Sequence, residues 1–298
     1  MWHRYLFVLL GLALQGLAAA DERITVLGID STMDVLERWA STERTVVSET
    51  ANSWVFKIDR YDLTVFAPKP DVPLPALASA MYQSDIAVVA MDALVGPTPA
   101  LRDYIIAARQ AEVPLVAAIL ANVESLKATL PMDARELLAL EDVEVRALLS
   151  LYEVGDENTL VFYDSYTDFN VPDSTAGGID VVSSTLMKNR VPRSPYRAVE
   201  KQRTALATVY FLAQAESNGY GISISEPTPL QMWSEGVATN IELLPDYLIS
   251  PGDTAEIIVD ADTFFAGQRG SRIILFDDNH VIGIGVLTKV HFSANGGQ

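Results

Sequence analysis

The sequence predicts an α/β domain followed by a small antiparallel β-barrel, and three observations favour this fold class. Hydrophobic residues make up 49% of the 298 residues and charged residues 20%, which is enough apolar material for two cores. Apolar strands alternate with amphipathic helices through the first half, as is typical of a doubly wound α/β domain. After Ser165 the alternation stops, and short strands separated by turn residues follow, as in a barrel.

The first twenty residues have the pattern of an export signal. A short basic start is followed by an apolar run of about a dozen residues, Tyr5 to Leu17, and then by Ala18-Ala19-Ala20. A membrane span needs roughly 20 apolar residues, so this run is short for an anchor. We therefore expect residues 1–20 to be a cleaved signal peptide and the mature protein to be periplasmic or extracellular, without a membrane span. An uncleaved anchor and a buried N-terminal helix are the alternatives.

The composition limits the partners and the chemistry of the chain. Its formal net charge is -18, from 21 basic and 39 acidic residues. Proteins that grip nucleic acid usually carry a basic face, because phosphate neutralisation supplies much of the affinity, so no nucleic-acid partner is expected. The absence of cysteine excludes disulfides, thiolate metal sites and cysteine nucleophiles.

Strand and helix patterns alternate through residues 21–165, which we predict to form the α/β domain. Continuous apolar runs such as Ile86 to Met91 indicate strands of a parallel sheet that are buried on both faces. The predicted strands are Ile24 to Gly28, Trp54 to Ile58, Asp62 to Phe66, Ile86 to Met91, Val113 to Leu120 and Leu160 to Tyr163. The predicted helices are Met33 to Ala40, Ala76 to Gln83, Pro99 to about Ala111 and Ala134 to Tyr152.

The second half has a different pattern. Residues 166–198 are rich in Asp, Ser, Gly and Pro and are predicted to be a linker. Residues 199–298 are predicted to form the barrel, because short strands follow one another without intervening helices. These strands are Ala205–Ala213, Gly221–Ile224, Gly236–Leu244, Ala255–Ala261, Ser271–Phe276 and Val281–Val290.

Several segments carry the motifs of one family in the same order along the chain. The run Asp85 to Asp92 with Gly96-Pro97-Thr98-Pro99 is similar to a strand and D-G-P-M-P turn of elongation factor Tu, a translational GTPase. Glu141 to Tyr152 resembles its helix V-E-M-E-V-R-E-L-L-S-x-Y. Ser250 to Asp253 resembles its M-P-G-D turn, and Gly283 to Val290 its terminal strand. The resemblance implies a P-loop-GTPase-like α/β domain and the family's C-terminal barrel, with the middle barrel missing.

The phosphate-binding loop of the family is degenerate in this chain. A P-loop needs glycines, a lysine for the phosphate charge and a hydroxyl for Mg²⁺. Gly28 matches the first glycine, but the position of the lysine falls at Asp34; a short deletion would bring Ser31 and Thr32 to the hydroxyl positions. Two like unit charges about 4 Å apart repel by roughly 4 kcal/mol at an effective dielectric of 20. A carboxylate at this place therefore opposes a triphosphate.

The remaining nucleotide motifs are also changed. The D-C-P-G-H motif becomes Phe66 to Pro70, with Lys69 for the glycine and Pro70 for the histidine. The guanine-reading N-K-x-D motif becomes Ala121 to Glu124, and of the S-A-L loop only Ser165 remains. We interpret six residues as a vestigial nucleotide pocket: Gly28, Ser31, Thr32, Asn122, Glu124 and Ser165. Because the groups that phosphoryl transfer requires are absent, no catalytic residue, metal or cofactor is expected and GTPase activity is predicted to be lost.

These observations favour a catalytically inactive, exported pseudo-GTPase that acts as a protein-binding module of the cell envelope, with an unidentified protein partner. The proline-rich segment Ala67 to Pro75 is the predicted contact site. The alternative is a divergent nucleotide-binding protein or GTPase that uses a relocated cation such as Lys69. Delivery of aminoacyl-tRNA conflicts with export, with the missing middle barrel and with the acidic charge.

The histidines and two of the tryptophans carry weaker signals. His280 and His291 are predicted to be surface residues. Asp277, Asp278 and His280 contain metal-ligating groups, but three polar residues are also ordinary in a hairpin turn. Trp54 and Trp233 are predicted to be aromatic residues of a core or a domain interface.

Overall fold

The structure, a computed structural model, describes residues 22–28, 32–69, 71–156, 158–165, 177–191, 201–217, 219–245 and 247–290. The predicted signal peptide and His291 lie outside these residues. The chain divides into two compact units. Of the described residues, those up to 72, those from 83 to 109 and those from 113 to 191 form the first unit. The second unit consists of residues 73–82, 110–112 and the described residues from 201 to 290. Among the described helices, none is both long and apolar enough to cross a bilayer.

The first unit is built on an eight-stranded mixed sheet in the order β2-β3-β4-β1-β5-β6-β7-β8. Strand β1 pairs in parallel with β4 on one side and β5 on the other, and β6, β7 and β8 continue the parallel part. Strands β2 and β3 are antiparallel additions beside β4. The strands are β1 (Glu22–Leu27), β2 (Ser48–Glu49), β3 (Ser53–Ile58), β4 (Leu63–Pro68), β5 (Ile86–Asp92), β6 (Leu115–Ala121), β7 (Val161–Tyr163) and β8 (Gly177–Gly178).

Six α-helices lie among the described residues. They are α1 (Thr32–Thr42), α2 (Leu74–Tyr82), α3 (Pro99–Gln110), α4 (Val123–Thr129), α5 (Ala134–Leu151) and α6 (Val182–Asn189). Four of them match the predicted helices to within a few residues, and α4 and α6 were not predicted. The sheet with its helices confirms the α/β class of the first unit.

The core on one face of this sheet joins α1 and α6. Trp39 is fully buried, donates from Nε1 to Ser183 Oγ at 2.8 Å, and packs edge-on against Phe56 at 5.6 Å between ring centroids. Val182 and Leu186, one turn apart on α6, are buried in the same core. The linker prediction is therefore corrected for residues 177–191, because two apolar residues at helical spacing outweigh the polar composition around them.

The second unit contains a closed six-stranded barrel in the order β10-β11-β12-β9-β14-β13. Its strands are β9 (Lys201–Phe211), β10 (Thr228–Ser234), β11 (Val237–Leu244), β12 (Thr254–Ala266), β13 (Arg272–Asp277) and β14 (His280–Val290). All neighbouring pairs are antiparallel, so the predicted barrel is confirmed. The strand predicted at Gly221–Ile224 is wrong, since that segment forms only an isolated bridge between Ile224 and Ile249.

Strand β10 was missed because its sequence does not look like a strand. Pro229 and Gln231 interrupt the apolar alternation, and proline is rare inside sheets. Leu230 and Met232 nevertheless belong to the buried barrel core. Trp233, on the opposite face of the strand, is 1% exposed.

Helix α2 belongs to the second unit and covers Trp233. The rings of Tyr82 and Trp233 meet edge-on at 5.7 Å, and Trp233 Nε1 donates to Ser79 Oγ at 3.2 Å. Tyr82 also donates its hydroxyl to Glu235 Oε2 at 2.5 Å. The polar atoms of both aromatic residues therefore have partners, which is what burial of Tyr and Trp requires.

The β10–β11 turn holds Tyr82 closely. Glu235 and Gly236 both have positive φ, 48° and 82°, as in the tight turns that match the twist of a hairpin. A Cβ placed on Gly236 would lie 2.7 Å from Cδ1 of Tyr82. Glycine is thus required at this position for two reasons, the backbone conformation and the space.

We expect Gly236→Ala to lower the free energy of unfolding by about 2–4 kcal/mol, combining backbone strain with overpacking. Gly270→Ala is the matched control, because Gly270 also has positive φ, 91°, and a Cβ there would meet nothing within 4 Å. The control should show the backbone cost alone, about 1–2 kcal/mol. Equal losses in urea denaturation would contradict the close contact with Tyr82.

A buried carboxyl in the first unit makes its stability depend on pH. Asp103 on α3 is 6% exposed. Burial raises the pKa of this carboxyl from 3.8 to about 7, against a smaller opposing effect of Arg102. Since the pKa is higher in the folded state, the contribution to stability is complete below the unfolded pKa and is lost as the pH rises towards 7.

We expect Asp103→Asn to remove this pH dependence, because the amide cannot ionise. The variant should gain stability over the wild type between pH 4 and pH 7, and the gain should level off above pH 7. Its size above pH 7 should be on the order of 4 kcal/mol, since the pKa rises from 3.8 to about 7 and one pKa unit corresponds to about 1.4 kcal/mol. Urea denaturation at pH 5 and pH 8 checks this. Asp133→Asn, at an exposed carboxyl, is the control and should leave the difference between the two pH values unchanged.

Candidate functional site

Three polar side chains meet where parallel strands of the sheet end. Asp92 is the last residue of β5, Asn122 follows β6, and Asp164 follows β7. Because these strands are parallel, their carboxyl ends lie at the same edge of the sheet. Open α/β sheets bind ligands outside this edge. The cluster around these residues, which we call the carboxyl-edge cluster, is therefore the candidate site.

Asp164 is the centre of the carboxyl-edge cluster, and its side chain is 1% exposed. Its Oδ2 accepts from the backbone N–H of Asn122 at 2.8 Å, and its Oδ1 accepts from that of Val123 at 3.2 Å. These amides start α4 and have no acceptor within the helix. The guanidinium of Arg38, on α1, lies 3.1 Å from Oδ2. One carboxylate thus connects β7, α4 and α1.

Asn122 is fixed by its backbone and by its side chain. Its φ of 60° is in the left-handed region, which asparagine tolerates better than most residues. Its Nδ2 donates to Asp92 Oδ2 at 2.6 Å, while Asp92 Oδ1 accepts from the backbone N–H of Leu94 at 2.8 Å. Both carboxylate oxygens of Asp92 are therefore used within the protein.

Glu124 and Ser165 also lie together at this edge. Ser165 Oγ donates to Glu124 Oε1 at 2.7 Å. Three of the six residues predicted from the motifs, Asn122, Glu124 and Ser165, are thus brought into one region. Gly28 lies at the end of β1, while Ser31 and the side chain of Thr32 lie outside the described part of the chain.

The motif comparison did not find Asp92, Asp164 and Arg38. A signal existed for the two acids, since Asp92 ends one buried strand of the parallel sheet and Asp164 directly follows another. Arg38 had no such signal, because its pairing with Asp164 is set only by the packing of α1.

The electrostatics of the cluster oppose an anionic ligand. Burial raises the pKa of Asp164, although the two backbone hydrogen bonds and Arg38 act in the opposite direction. The charge of nearby Glu124 adds to the rise. A triphosphate at this edge would meet three acids, Asp92, Glu124 and Asp164, and Arg38 is already paired with one of them. The polar groups of the cluster are placed to bind one another and are less suited to binding a phosphate.

The relocated cation considered from the sequence is paired with an acid. Lys69 Nζ lies 2.5 Å from Glu49 Oε1 on β2 and 6.0 Å from the ring centroid of Trp54. The ammonium of Lys69 is therefore held at the antiparallel edge of the sheet.

Asp34, which stands at the position of the P-loop lysine, is exposed in the first turn of α1.

The predicted contact segment Ala67 to Pro75 is mostly buried. Ala67 and Pro68 are buried in β4, and Val72, Leu74 and Pro75 are buried beyond it. Of the described residues in this segment only Asp71 and Pro73 are exposed. Pro70 is not among the residues that the structure describes. The segment does not present a continuous surface, because its apolar residues fill the interior.

The predicted surface histidine lies in the barrel. The ring of His280 is half-buried and stacks on Tyr220, with centroids 3.5 Å apart and planes 11° apart. Among the described residues, no group of three or more His, Asp or Glu residues is placed to hold a metal ion. No protein-family model matches the chain.

We expect Asp164→Ala to lower the free energy of unfolding by about 2–4 kcal/mol, because it leaves two buried amides and a guanidinium without their acceptor. Asp71→Ala, at an exposed acid of the same unit, is the control and should change stability by less than about 0.5 kcal/mol. Urea denaturation followed by circular dichroism measures both. A loss below 1 kcal/mol for Asp164→Ala would contradict the central role of this carboxylate.

Proposed function

We propose that this chain is an exported, catalytically inactive relative of elongation factor Tu, a pseudo-GTPase that serves as a protein-binding module of the cell envelope. Its first unit would be a doubly wound P-loop-GTPase-like domain, and its barrel the counterpart of the family's C-terminal barrel. The family assignment rests on the motif resemblances, and the observed sheet and barrel are compatible with it.

The topology of the sheet supports a former nucleotide site at the carboxyl edge. The chain leaves β1 towards β4 on one side and returns to β5 on the other side. Such a reversal of strand order opens a crevice at the end of the central strand, where doubly wound domains bind their ligands. Gly28, the match to the first P-loop glycine, lies directly after β1.

The observation that carries the proposal is the internal use of polar groups at this edge. Asp164 occupies the first amides of α4 and the guanidinium of Arg38, and Asn122 donates to Asp92. A nucleotide would have to break these contacts and meet acids in place of the missing lysine. Surfaces that bind proteins do not depend on the lost groups, so a scaffold of this kind can keep an interaction role.

Isothermal titration of the purified protein with Mg²⁺ and a non-hydrolysable GTP analogue tests the loss of nucleotide binding. We expect no heat of binding at ligand concentrations up to about 1 mM, which places the standard free energy of binding weaker than about -4 kcal/mol. A translational GTPase titrated in parallel is the positive control. Tight, Mg²⁺-dependent binding would sink the pseudo-GTPase proposal.

The interaction role is tested by crosslinking in the envelope fraction. The expected result is a discrete crosslinked partner protein that is recovered with the wild type. Recovery of ribosomes instead would favour a translational role.

A weakened nucleotide-binding function is the second candidate, because one element of guanine recognition is retained. Glu124 keeps a carboxylate at the position that reads the guanine edge, and Ser165 donates to it at 2.7 Å. If weak guanosine binding is seen, Glu124→Ala should abolish it. Lys69→Ala should leave it unchanged, since Lys69 is paired with Glu49. A loss with Lys69→Ala would instead support the relocated-cation mechanism.

A further inference from the structure

Glu141, on α5, has a carboxyl oxygen that is buried without a hydrogen-bond partner. This oxygen is Oε2, and no described residue donates a hydrogen bond to it. Buried polar atoms in proteins are mostly paired, because an unpaired one has lost its bonds to water without compensation. The cost is much larger for an ionised carboxylate than for a neutral carboxylic acid. The protonation state of Glu141 therefore affects how well its side chain fits in this place.

The carboxyl group of Glu141 covers Gly96. A Cβ placed on Gly96 would lie 3.1 Å from Oε1 of Glu141 and 3.2 Å from Oε2, so both oxygens face this glycine. Gly96 has a φ of 75°, in the left-handed region that glycine adopts readily. Any other residue would be strained there and would also press on the carboxyl group. The contact between Glu141 and Gly96 thus depends on the missing side chain.

Gly96 belongs to the turn of residues 92–98, which joins β5 to α3. The carbonyl oxygen of Asp92 accepts from the backbone N–H of Val95 at 3.1 Å and from that of Gly96 at 2.8 Å. The side chains at the tip of the turn are exposed, Leu94 by 44% and Val95 by 69%. Asp92 is also a member of the carboxyl-edge cluster. The turn therefore connects an exposed apolar tip to that cluster.

The charged groups around Glu141 do not neutralise it. Glu144, one turn further along α5, is exposed and brings a like charge. Asp142 and Arg146 of the same helix are paired with each other. The charged residues of the other bordering elements are Asp92 in the turn, Arg102, Asp103 and Arg109 on α3, and Glu124 and Lys127 on α4.

The position against Gly96 favours the neutral form of Glu141. Burial raises the pKa of this carboxyl group from 4.5 to about 6, and the charge of Glu144 adds to the rise. Because the pKa is higher in the covered position than in water, the contact is fully favoured below pH 4.5 and is lost as the pH rises through 6. The ionised group gains hydration when it turns outward, and Gly96 is then uncovered.

We propose that Glu141 is a pH switch, which stabilises the closed turn of residues 92–98 while its carboxyl group is protonated and lets the turn open when the proton is lost. Opening admits water to the hydrogen bonds that Asp92 accepts from Val95 and Gly96, so the apolar tip can change its conformation. Since Asp92 also belongs to the carboxyl-edge cluster, the switch couples pH to the geometry of that edge. This inference is independent of the pseudo-GTPase function.

Hydrogen exchange followed by NMR tests the switch in the purified protein. The protection factors of the amides of residues 94–96, corrected for the intrinsic pH dependence of exchange, measure how often the turn opens. They should fall about eightfold from pH 5 to pH 8, which follows from a pKa of about 6 in the closed turn and 4.5 in the open one. The amide of Ile119, in the buried strand β6, reports opening of the whole unit. Turn amides that change in parallel with Ile119 would overturn the proposal.

Two variants separate Glu141 from the other carboxyl group with a strongly raised pKa. Glu141→Gln keeps the shape of the side chain but cannot ionise, so the protection factors of residues 94–96 should agree within about twofold at the two pH values. Asp103→Asn is the matched control, because it removes the titrating acid of the adjoining helix α3. The eightfold fall should persist in this variant. An equal fall in the wild type and Glu141→Gln, or its loss in Asp103→Asn, would contradict the switch.

A titration of the wild type gives a second measurement that does not depend on the folding of a variant. The carbon-13 signal of the Glu141 carboxyl group and the amide signals of residues 94–96 should share one midpoint near pH 6. Glu144→Gln should lower this midpoint, since it removes a like charge. A midpoint near 4.5 for Glu141, or turn signals that do not follow its titration, would overturn the proposal.

Discussion

The buried carboxylate of Asp164 is the interaction on which the carboxyl edge of the first unit depends. Burying a charge is costly unless it is hydrogen-bonded and paired, and Asp164 has both kinds of compensation. Its two oxygens reach the start of α4 and the guanidinium of Arg38 on α1. The carboxylate therefore holds two helices to the end of one strand. The same contacts engage two backbone amides and a guanidinium, which are groups of the kind that an external anion binds.

The sequence predicted the two architectures because each has a strong periodic signal. Continuous apolar runs such as Ile86 to Met91 are typical of strands that are covered on both faces. The short strands after residue 199 follow one another without intervening helices, which is typical of a barrel. The missed elements are those in which local composition and tertiary packing disagree. Helix α6 lies in a polar segment and is fixed by Val182 and Leu186 entering a core that is assembled from distant residues. Strand β10 contains Pro229 and is held by its neighbours β11 and β13.

The sequence predicted only part of the candidate site, because local motifs can be read from the sequence and long-range contacts cannot. Motif spacing brought Asn122, Glu124 and Ser165 together, because short loops after parallel strands converge at one edge. The partners that give the site its character could not be read from spacing. Arg38 reaches Asp164 across 126 positions of sequence. Lys69 meets Glu49 because the antiparallel pairing of β2, β3 and β4 brings the end of β4 close to β2. Such ion pairs decide whether an arginine or lysine is available to bind a ligand. The same residues could therefore have formed a different site if the fold had brought other partners to them.

The strand order of the barrel sets a limit on when it can form. Strand β9 is the first barrel strand in the chain, yet its two neighbours are β12 and β14, and β14 is the last strand. The barrel cannot close until the chain has emerged as far as Val290. Contacts between such distant segments form slowly, so during synthesis β9 must wait for β12 on one side and for β14 on the other. That waiting period is when a nascent chain of this kind is most in need of a chaperone.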